Sequence, residues 1–417
     1  MHCFHFKNSQ LYCESLGVKE IAQKIETPFY LYSQKTILEN FRRIDSAFNG
    51  LDHLICYALK ANSNEALLSL LANAGAGADV VSGGELYLAL KSGFEPKKMV
   101  YAGVGKRDDE IRYALQQGIL SFNVESLEEL RIINEIARSL QKKAPVAIRL
   151  NPNIEIKSHP YISTGKAADK FGIDLAAARE LFRTFTNFSN VELTGLHCHI
   201  GSQITDAEPY RQVVKVLGDV ASDRRALGHQ LSYVDMGGGL SVRYENVFQD
   251  SNAAQTDLDI KRLIDELRPD LRKMKCKIIF EPGRALVAEA GVLVTKVLYQ
   301  KETQGKRFVI VDAAMNDLIR PSLYGAYHEI VAVQQSGGNP IKVDVVGPIC
   351  ESGDFLGCDR WLPELKRGDL LAVMTAGAYG FSLSSNYNAR PRPAELLVDG
   401  ANVRVIRDRG KIENLWS

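Results

Sequence analysis

The sequence has no apolar run of the roughly 18–20 residues that a membrane helix needs, so a membrane-spanning protein is not expected. It has no excess of either charge. The 51 basic and 50 acidic residues leave a net charge of +1, so no domain-wide basic surface advertises nucleic acid or an anionic membrane as a partner. It has no C-x-x-C pair and an odd number of cysteines, seven: Cys3, Cys13, Cys56, Cys198, Cys276, Cys350 and Cys358. That excludes a disulfide scaffold and points to a reducing compartment, the cytoplasm. The first residues, MHCFHFKNSQLYCES, lack a basic segment followed by an apolar one, so no secretory signal is expected. With 33 Gly and 14 Pro in 417 residues the chain is not low in complexity, and it shows neither an internal repeat nor a long linker.

What is present is enough for a sizeable core: 45% of residues are hydrophobic and 24% charged. The length implies two or three domains, or one large barrel with a smaller companion. Between about residues 36 and 285, short runs rich in Val, Ile, Leu, Tyr and Phe alternate with helical patterns. The runs are His53–Leu59, Ala78–Val81, Met99–Tyr101, Ile119–Asn123, Pro145–Leu150, Leu193–His199, Ser232–Met236 and Lys277–Glu281. Such runs suit strands buried on both faces. Eight of them with intervening helices match a (β/α)8 TIM-type barrel; a doubly wound open sheet is the competing architecture. From residue 286 to 417 the texture becomes strand runs joined by Gly-rich turns, which predicts an antiparallel β-sandwich or barrel domain. Residues 1–35 read as short strands with one helix and are expected to pack with that β domain.

Active sites of such barrels gather at the C-terminal ends of the strands. There the sequence places Lys60, Asp79, Arg149, the His197-Cys198-His199 run, Asp235 with Gly237–Gly239, and Glu281-Pro282-Gly283-Arg284. Three glycines free backbone N–H groups to approach an anion, as barrel loops seven and eight often do for phosphate; a tight turn is the plainer reading. A lysine at the end of an apolar strand is expected to be desolvated. Its lowered pKa would suit Schiff-base chemistry, with a salt-bridged lysine as the alternative. Together, a phosphate site and such a lysine imply pyridoxal phosphate. His197 and His199 are expected to face opposite sides of the sheet, one the lumen and the other the helix layer, which disfavours a shared metal. Glu281 could keep a pyridine nitrogen protonated or pair with an arginine. In the β domain, Cys350 beside Glu351 in a Gly- and Pro-rich loop is a proton donor or nucleophile, or an inert buried thiol. Arg320 with Tyr324, and Tyr379 in GAYG, complete the candidates.

The chain resembles the alanine-racemase-like, fold type III family of pyridoxal-phosphate decarboxylases, and within it the diaminopimelate decarboxylases, which share their fold with ornithine and arginine decarboxylases. The carriers are YALKAN (57–62), DVVSGGE (79–85), NPNIEIKSHPYISTG (151–165), KFGI (170–173), GLHCHIGSQ (195–203), DMGGGL (235–240), EPGR (281–284), GPICESGDFL (347–356) and GAYG (377–380). They span essentially the whole chain. HPYISTG with KFGI, and the CESGD form, point to the diaminopimelate branch. One departure is Ser241, where many relatives carry Gly.

The resemblance implies pyridoxal 5'-phosphate held by Lys60 and surrounded by Asp79, His199, Ser202, Gly237, Gly238, Gly239, Glu281, Pro282, Gly283, Arg284 and Tyr379. His199 would stack on the ring and Glu281 would meet its nitrogen. Arg284, Arg320, Tyr324, Glu351 and Tyr379 would bind the substrate. Cys350 would be the proton donor, reaching the other subunit's site in a homodimer. The implied reaction converts meso-2,6-diaminopimelate to L-lysine and carbon dioxide, the last step of lysine biosynthesis by that route. The alternatives are a decarboxylase of ornithine or arginine, a racemase, a non-catalytic relative, and a metal-dependent hydrolase. No metal, nucleic-acid or membrane partner is expected.

Overall fold

The computed structural model describes residues 3–156, 164–166, 169–226, 228–248, 258–337 and 339–415. Most of HPYISTG therefore lies outside the described residues. The chain divides into two units: Phe41–Ser241 with Thr256–Gly283, and Met1–Asn40 with Val242–Gln255 and Arg284–Ser417.

The first unit is a closed barrel. Its parallel strands are His53–Ala58, Gly77–Val80, Met99–Tyr101, Ser121–Val124, Ala144–Asn151, Val191–His197, Tyr233–Asp235 and Lys277–Phe280. The eighth strand pairs with the first (Ile278 with His53) and the fourth with the fifth (Phe122 with Val146), so the sheet closes and the open-sheet alternative is excluded. Cys56, Val100, Ala147, Tyr233 and Ile279 fill one layer of the interior. Gly195 is required by Tyr233: a Cβ there would lie 2.5 Å from the buried ring. Side-chain caps start several helices and so aim the loops before them. Asn64 accepts the Ala66 N–H, Ser82 that of Glu85, and Ser126 that of Glu129.

The second unit is built on a sheet in the order Phe355–Leu362, Ile341–Val346, Lys306–Val311, Gly291–Thr303, Phe29–Ser33, Ala394–Asp399, Asn402–Arg407. The sheet is mixed rather than antiparallel throughout. Phe29–Ser33 runs parallel to Ala394–Asp399, and Lys306–Val311 parallel to Ile341–Val346. Insertion of a strand from the N-terminal segment between two C-terminal strands sets the first of these directions, and no local pattern encodes it. The expected barrel span of 36–285 is also interrupted, because residues 242–248 join the β unit. Glu329 N–H donates to the Tyr244 carbonyl, the Glu329 carboxylate accepts the Val247 N–H, and the Thr375 hydroxyl donates to the Arg243 carbonyl.

Candidate active site

The first barrel strand ends at Ala58, and a single 3-10 turn, Leu59–Ala61, carries Lys60. Leu59 and Ala61 are buried and anchor the turn. The lysine is not desolvated as expected: its side chain is 38% exposed, because it leaves the barrel from a turn rather than from the strand. Its Nζ donates to Asp79 Oδ2 at 3.0 Å. Asp79 sits on the second strand, 1% exposed, and burial together with the Glu281 charge raises its pKa against the pull of Lys60.

Glu281 follows the eighth strand and is buried. His197, the last residue of the sixth strand, lies with Nε2 3.2 Å from Glu281 Oε2; the carboxylate only accepts, so Nε2 carries the proton. The Asn123 amide donates to Oε1 at 3.5 Å. Burial alone would raise the Glu281 pKa, but His197 and Lys60 hold it well below the usual range. Asp235, at the end of the seventh strand, is raised well above 3.8 by burial and by Glu281 beside it.

The sequence-based alternation of the two histidines does not hold. Residues two apart on a strand share a face, so even a continued strand would not have separated them, and the sixth strand in any case stops at His197, leaving His199 on the following loop. Both histidines serve this end of the barrel: His197 meets Glu281, and His199 Nδ1 accepts the Gly238 N–H at 3.0 Å. Burial, with the Lys60 and Arg149 cations near it, pushes His199 well below 6.5.

Two of the three glycine N–H groups are engaged within the chain, that of Gly237 with Asp235 Oδ1 at 2.9 Å and that of Gly238 with His199. The glycines are demanded by close backbone packing. A Cβ at Gly238 would lie 2.0 Å from the Glu281 carbonyl oxygen, and one at Gly239 2.4 Å from that of Gly201. Gly283 packs on Ala58 and Ala61. Ser202 is half-buried on the loop after His199, and Pro282 is buried, its carbonyl accepting the Ala58 N–H.

The β unit holds a second group. Arg284 Nη1 donates to the Tyr244 hydroxyl at 2.6 Å and its guanidinium lies 4.8 Å from the centre of the Tyr379 ring. Tyr379 itself has a left-handed backbone, φ 57°. Arg320 is buried, 4.7 Å over the Tyr244 ring, with Nη1 donating to His328 Nε2 at 2.7 Å. His328 turns its other nitrogen to the Met374 carbonyl, so its Nε2 lone pair is free to accept. No carboxylate forms an ion pair with Arg320 among the described residues. Tyr324 ends the helix Arg320–Tyr324. Cys350 is exposed, its N–H donating to Asn388 at 3.2 Å, and Glu351 accepts the Tyr387 hydroxyl at 2.9 Å. Tyr244, His328, Tyr387, Asn123 and the linkage through His197 and Asp235 escaped the sequence reading. Position at a strand end was a signal for Asn123, His197 and Asp235 alone; Tyr244, His328 and Tyr387 carry no local signal.

Residues 34–288 match the family described as "Pyridoxal-dependent decarboxylase, pyridoxal binding domain". The chain is 48% identical to diaminopimelate decarboxylase from Aquifex aeolicus, over 97% of this chain and 94% of that protein. Its structure is similar to that of diaminopimelate decarboxylase from Helicobacter pylori complexed with L-lysine, with TM-score 0.90 and 46% identity, covering 95% of this chain and 98% of that one. It is similar also to the enzyme from M. jannaschii in co-complex with L-lysine, with TM-score 0.91 and 38% identity, covering 99% and 96%. A fold shared over nearly the full length, carrying Lys60, Glu281 and the glycine run at one rim of the barrel, places this chain among the diaminopimelate decarboxylases of the pyridoxal-dependent decarboxylase family.

Proposed function

We propose that this chain decarboxylates meso-2,6-diaminopimelate to L-lysine and carbon dioxide, closing lysine biosynthesis by that route. The observation that carries the reading is the juxtaposition of Lys60 with Asp79 and of Glu281 with His197, beside a glycine run whose backbone admits no Cβ. Relatives bearing the diaminopimelate decarboxylase name match over nearly their full length.

Pyridoxal phosphate fits the residues present. Asp79 Oδ1 and His197 Nδ1 are buried without a hydrogen-bond partner among the described residues, so polar capacity is left over around Lys60 and Glu281. Lys60 would hold the group covalently and Glu281 would meet its pyridine nitrogen. Asp79, His199, Ser202, Gly237 to Gly239, Pro282, Gly283, Arg284 and Tyr379 would enclose the rest. When bound, the group supplies an electron sink for the carbanion left by departing carbon dioxide.

The chain's own residues do the remainder. Glu281, held anionic, would keep a proton on a pyridine nitrogen placed against it rather than take that proton. His199, neutral and fixed by Gly238, offers an uncharged ring that does not repel a cationic substrate amine. Arg284, Arg320, Tyr324, Glu351 and Tyr379 bind the substrate, with Arg320 and Glu351 directed to its distal carboxylate and ammonium. Ornithine has no distal carboxylate, so a pocket that desolvates an arginine for one discriminates against it. Cys350 would supply the proton that takes the place of the lost carboxyl group, in a homodimer whose subunits share sites; its exposure in the single chain supports this. A cytoplasmic location accords with seven free cysteines, and no described helix is long and apolar enough to cross a membrane.

The test is product analysis with pyridoxal phosphate added and four substrates supplied separately: meso-diaminopimelate, the L,L isomer, ornithine and arginine. Lysine and carbon dioxide from the meso isomer alone support the reading. Carbon dioxide only from ornithine or arginine overturns the roles of Arg320, Tyr324 and Glu351.

A further inference from the structure

Three carboxyl groups are buried together at the C-terminal end of the barrel: Asp79, Asp235 and Glu281. Lys60 answers Asp79. One nitrogen of His197 and one oxygen each of Asp235 and Glu281 lie within 4.8 Å of one another. Two carboxyls this close and this buried do not both ionise. The donors decide which one does. Glu281 faces N–H groups of His197 and Asn123, whereas Asp235 has one N–H, from Gly237, on Oδ1, no N–H on Oδ2 among the described residues, and the Glu281 carboxylate as its other hydrogen-bond partner. Glu281 is therefore the carboxylate and Asp235 the neutral acid, in keeping with the opposite directions in which their pKa values move.

We propose that His197 and Asp235 are positioning residues for Glu281: His197 fixes its Oε2 through Nε2–H, Asp235 stands beside it as an uncharged acid, and Asp235 Oδ1 ties the same assembly to the glycine run. This rests on the cofactor reading given above. Asp235 thus links the residue proposed for the pyridine nitrogen with the loop proposed for the phosphate. The groups facing Glu281 come from five strands or the loops that follow them: Cys56, Lys60, Asp79, Asn123, His197, His199 and Asp235. Three of them, His197, Asp235 and Glu281, are also of metal-ligand type, but the N–H donors occupy lone pairs that a cation would need.

The experiment uses the full chain loaded with pyridoxal phosphate. The readouts are the pH titration of the bound cofactor's visible absorbance, its affinity by equilibrium dialysis, and kcat and KM for meso-diaminopimelate. In H197L the acid limb of the absorbance titration moves up by about one pH unit or more, because a charge-assisted hydrogen bond to Glu281 is lost. Its kcat falls roughly 10–100-fold with KM little changed. H197Q, which keeps an N–H donor, recovers most of both. If H197L does not fold, H197N, whose amide is too short to reach Oε2, carries the same expectation. D235N, neutral and of the same shape, stays within about threefold of the parent in cofactor affinity, whereas D235A, which strands the Gly237 N–H, binds roughly tenfold more weakly. An H197L protein that binds cofactor and titrates like the parent overturns the proposal, as does D235N failing as badly as D235A. A stoichiometric metal ion at this cluster in the purified parent overturns it too. A parent protein with no cofactor absorbance sinks the cofactor reading and this inference together; a normal parent with unshifted variants sinks the inference alone.

Discussion

His199 accepts the Gly238 N–H through Nδ1 at 3.0 Å, and that bond needs the lone pair of a neutral imidazole. Burial and the Lys60 cation act in the same direction, lowering its pKa well below 6.5. A nitrogen-detected NMR titration is expected to show His199 unprotonated throughout pH 6–8. The group is depressed in the folded chain, so its contribution to stability is present above about 6.5, the unfolded value, and is lost as pH falls towards the folded value. Protonation of this ring near pH 6.5 would sink the assignment.

Glu85 accepts the Val81 N–H at 2.8 Å from within the first turn of its helix, and burial lifts its carboxyl to about 7. A raised carboxyl favours folding most when protonated. Its contribution is full below about 4.5 and declines as pH rises through 7, by about 2 kcal/mol or less. Urea unfolding of E85Q at pH 5 and pH 8 is expected to show the substitution stabilising relative to the parent only at pH 8.

Gly195 leaves the space that the Tyr233 ring fills. Gly195→Ala is expected to cost about 1–3 kcal/mol in chemical unfolding, because the ring is packed in the barrel interior and cannot retreat. Tyr233→Leu in the same background should return part of that loss by making room for the new methyl.

Lys60→Ala is expected to abolish the covalent cofactor absorbance and turnover while the far-ultraviolet circular dichroism stays that of the parent. Full activity in this variant would refute the cofactor assignment.

Cys350→Ala is expected to fold and bind cofactor normally and to lose most of its turnover. Mixing Lys60→Ala and Cys350→Ala subunits tests the shared-site homodimer: turnover should reappear in the mixture, and its failure to do so removes the cross-subunit role. Loss of cofactor affinity in Cys350→Ala alone would show that the thiol is not simply a proton donor.

The barrel was legible because its strands are apolar on both faces and its helices carry side-chain caps. Ser126 and Asn64 cap helices through residues two or three positions away, a purely local signal. Lys60, Glu281 and the glycine run were legible as candidates because strand ends of a barrel lie at one rim. Which partners they meet was not. Asp235 and Glu281 are 46 positions apart, and nothing local says that one carboxyl would be kept neutral by the other. Tyr244 comes against Arg320 only because residues 242–248 join the β unit, a choice made by hydrogen bonds to Glu329 and Thr375.

By itself, then, the sequence determined the periodicities, the caps, the order of strands in the barrel and the stock of chemical groups at its rim, since each depends on residues near one another along the chain. Tertiary structure alone decided the directions in the mixed sheet, the loop position of His199, the half-exposed setting of Lys60 and the division of charge among three buried carboxyls. Those outcomes depend on distances between segments far apart in sequence and on how much water each group loses, which no local pattern records.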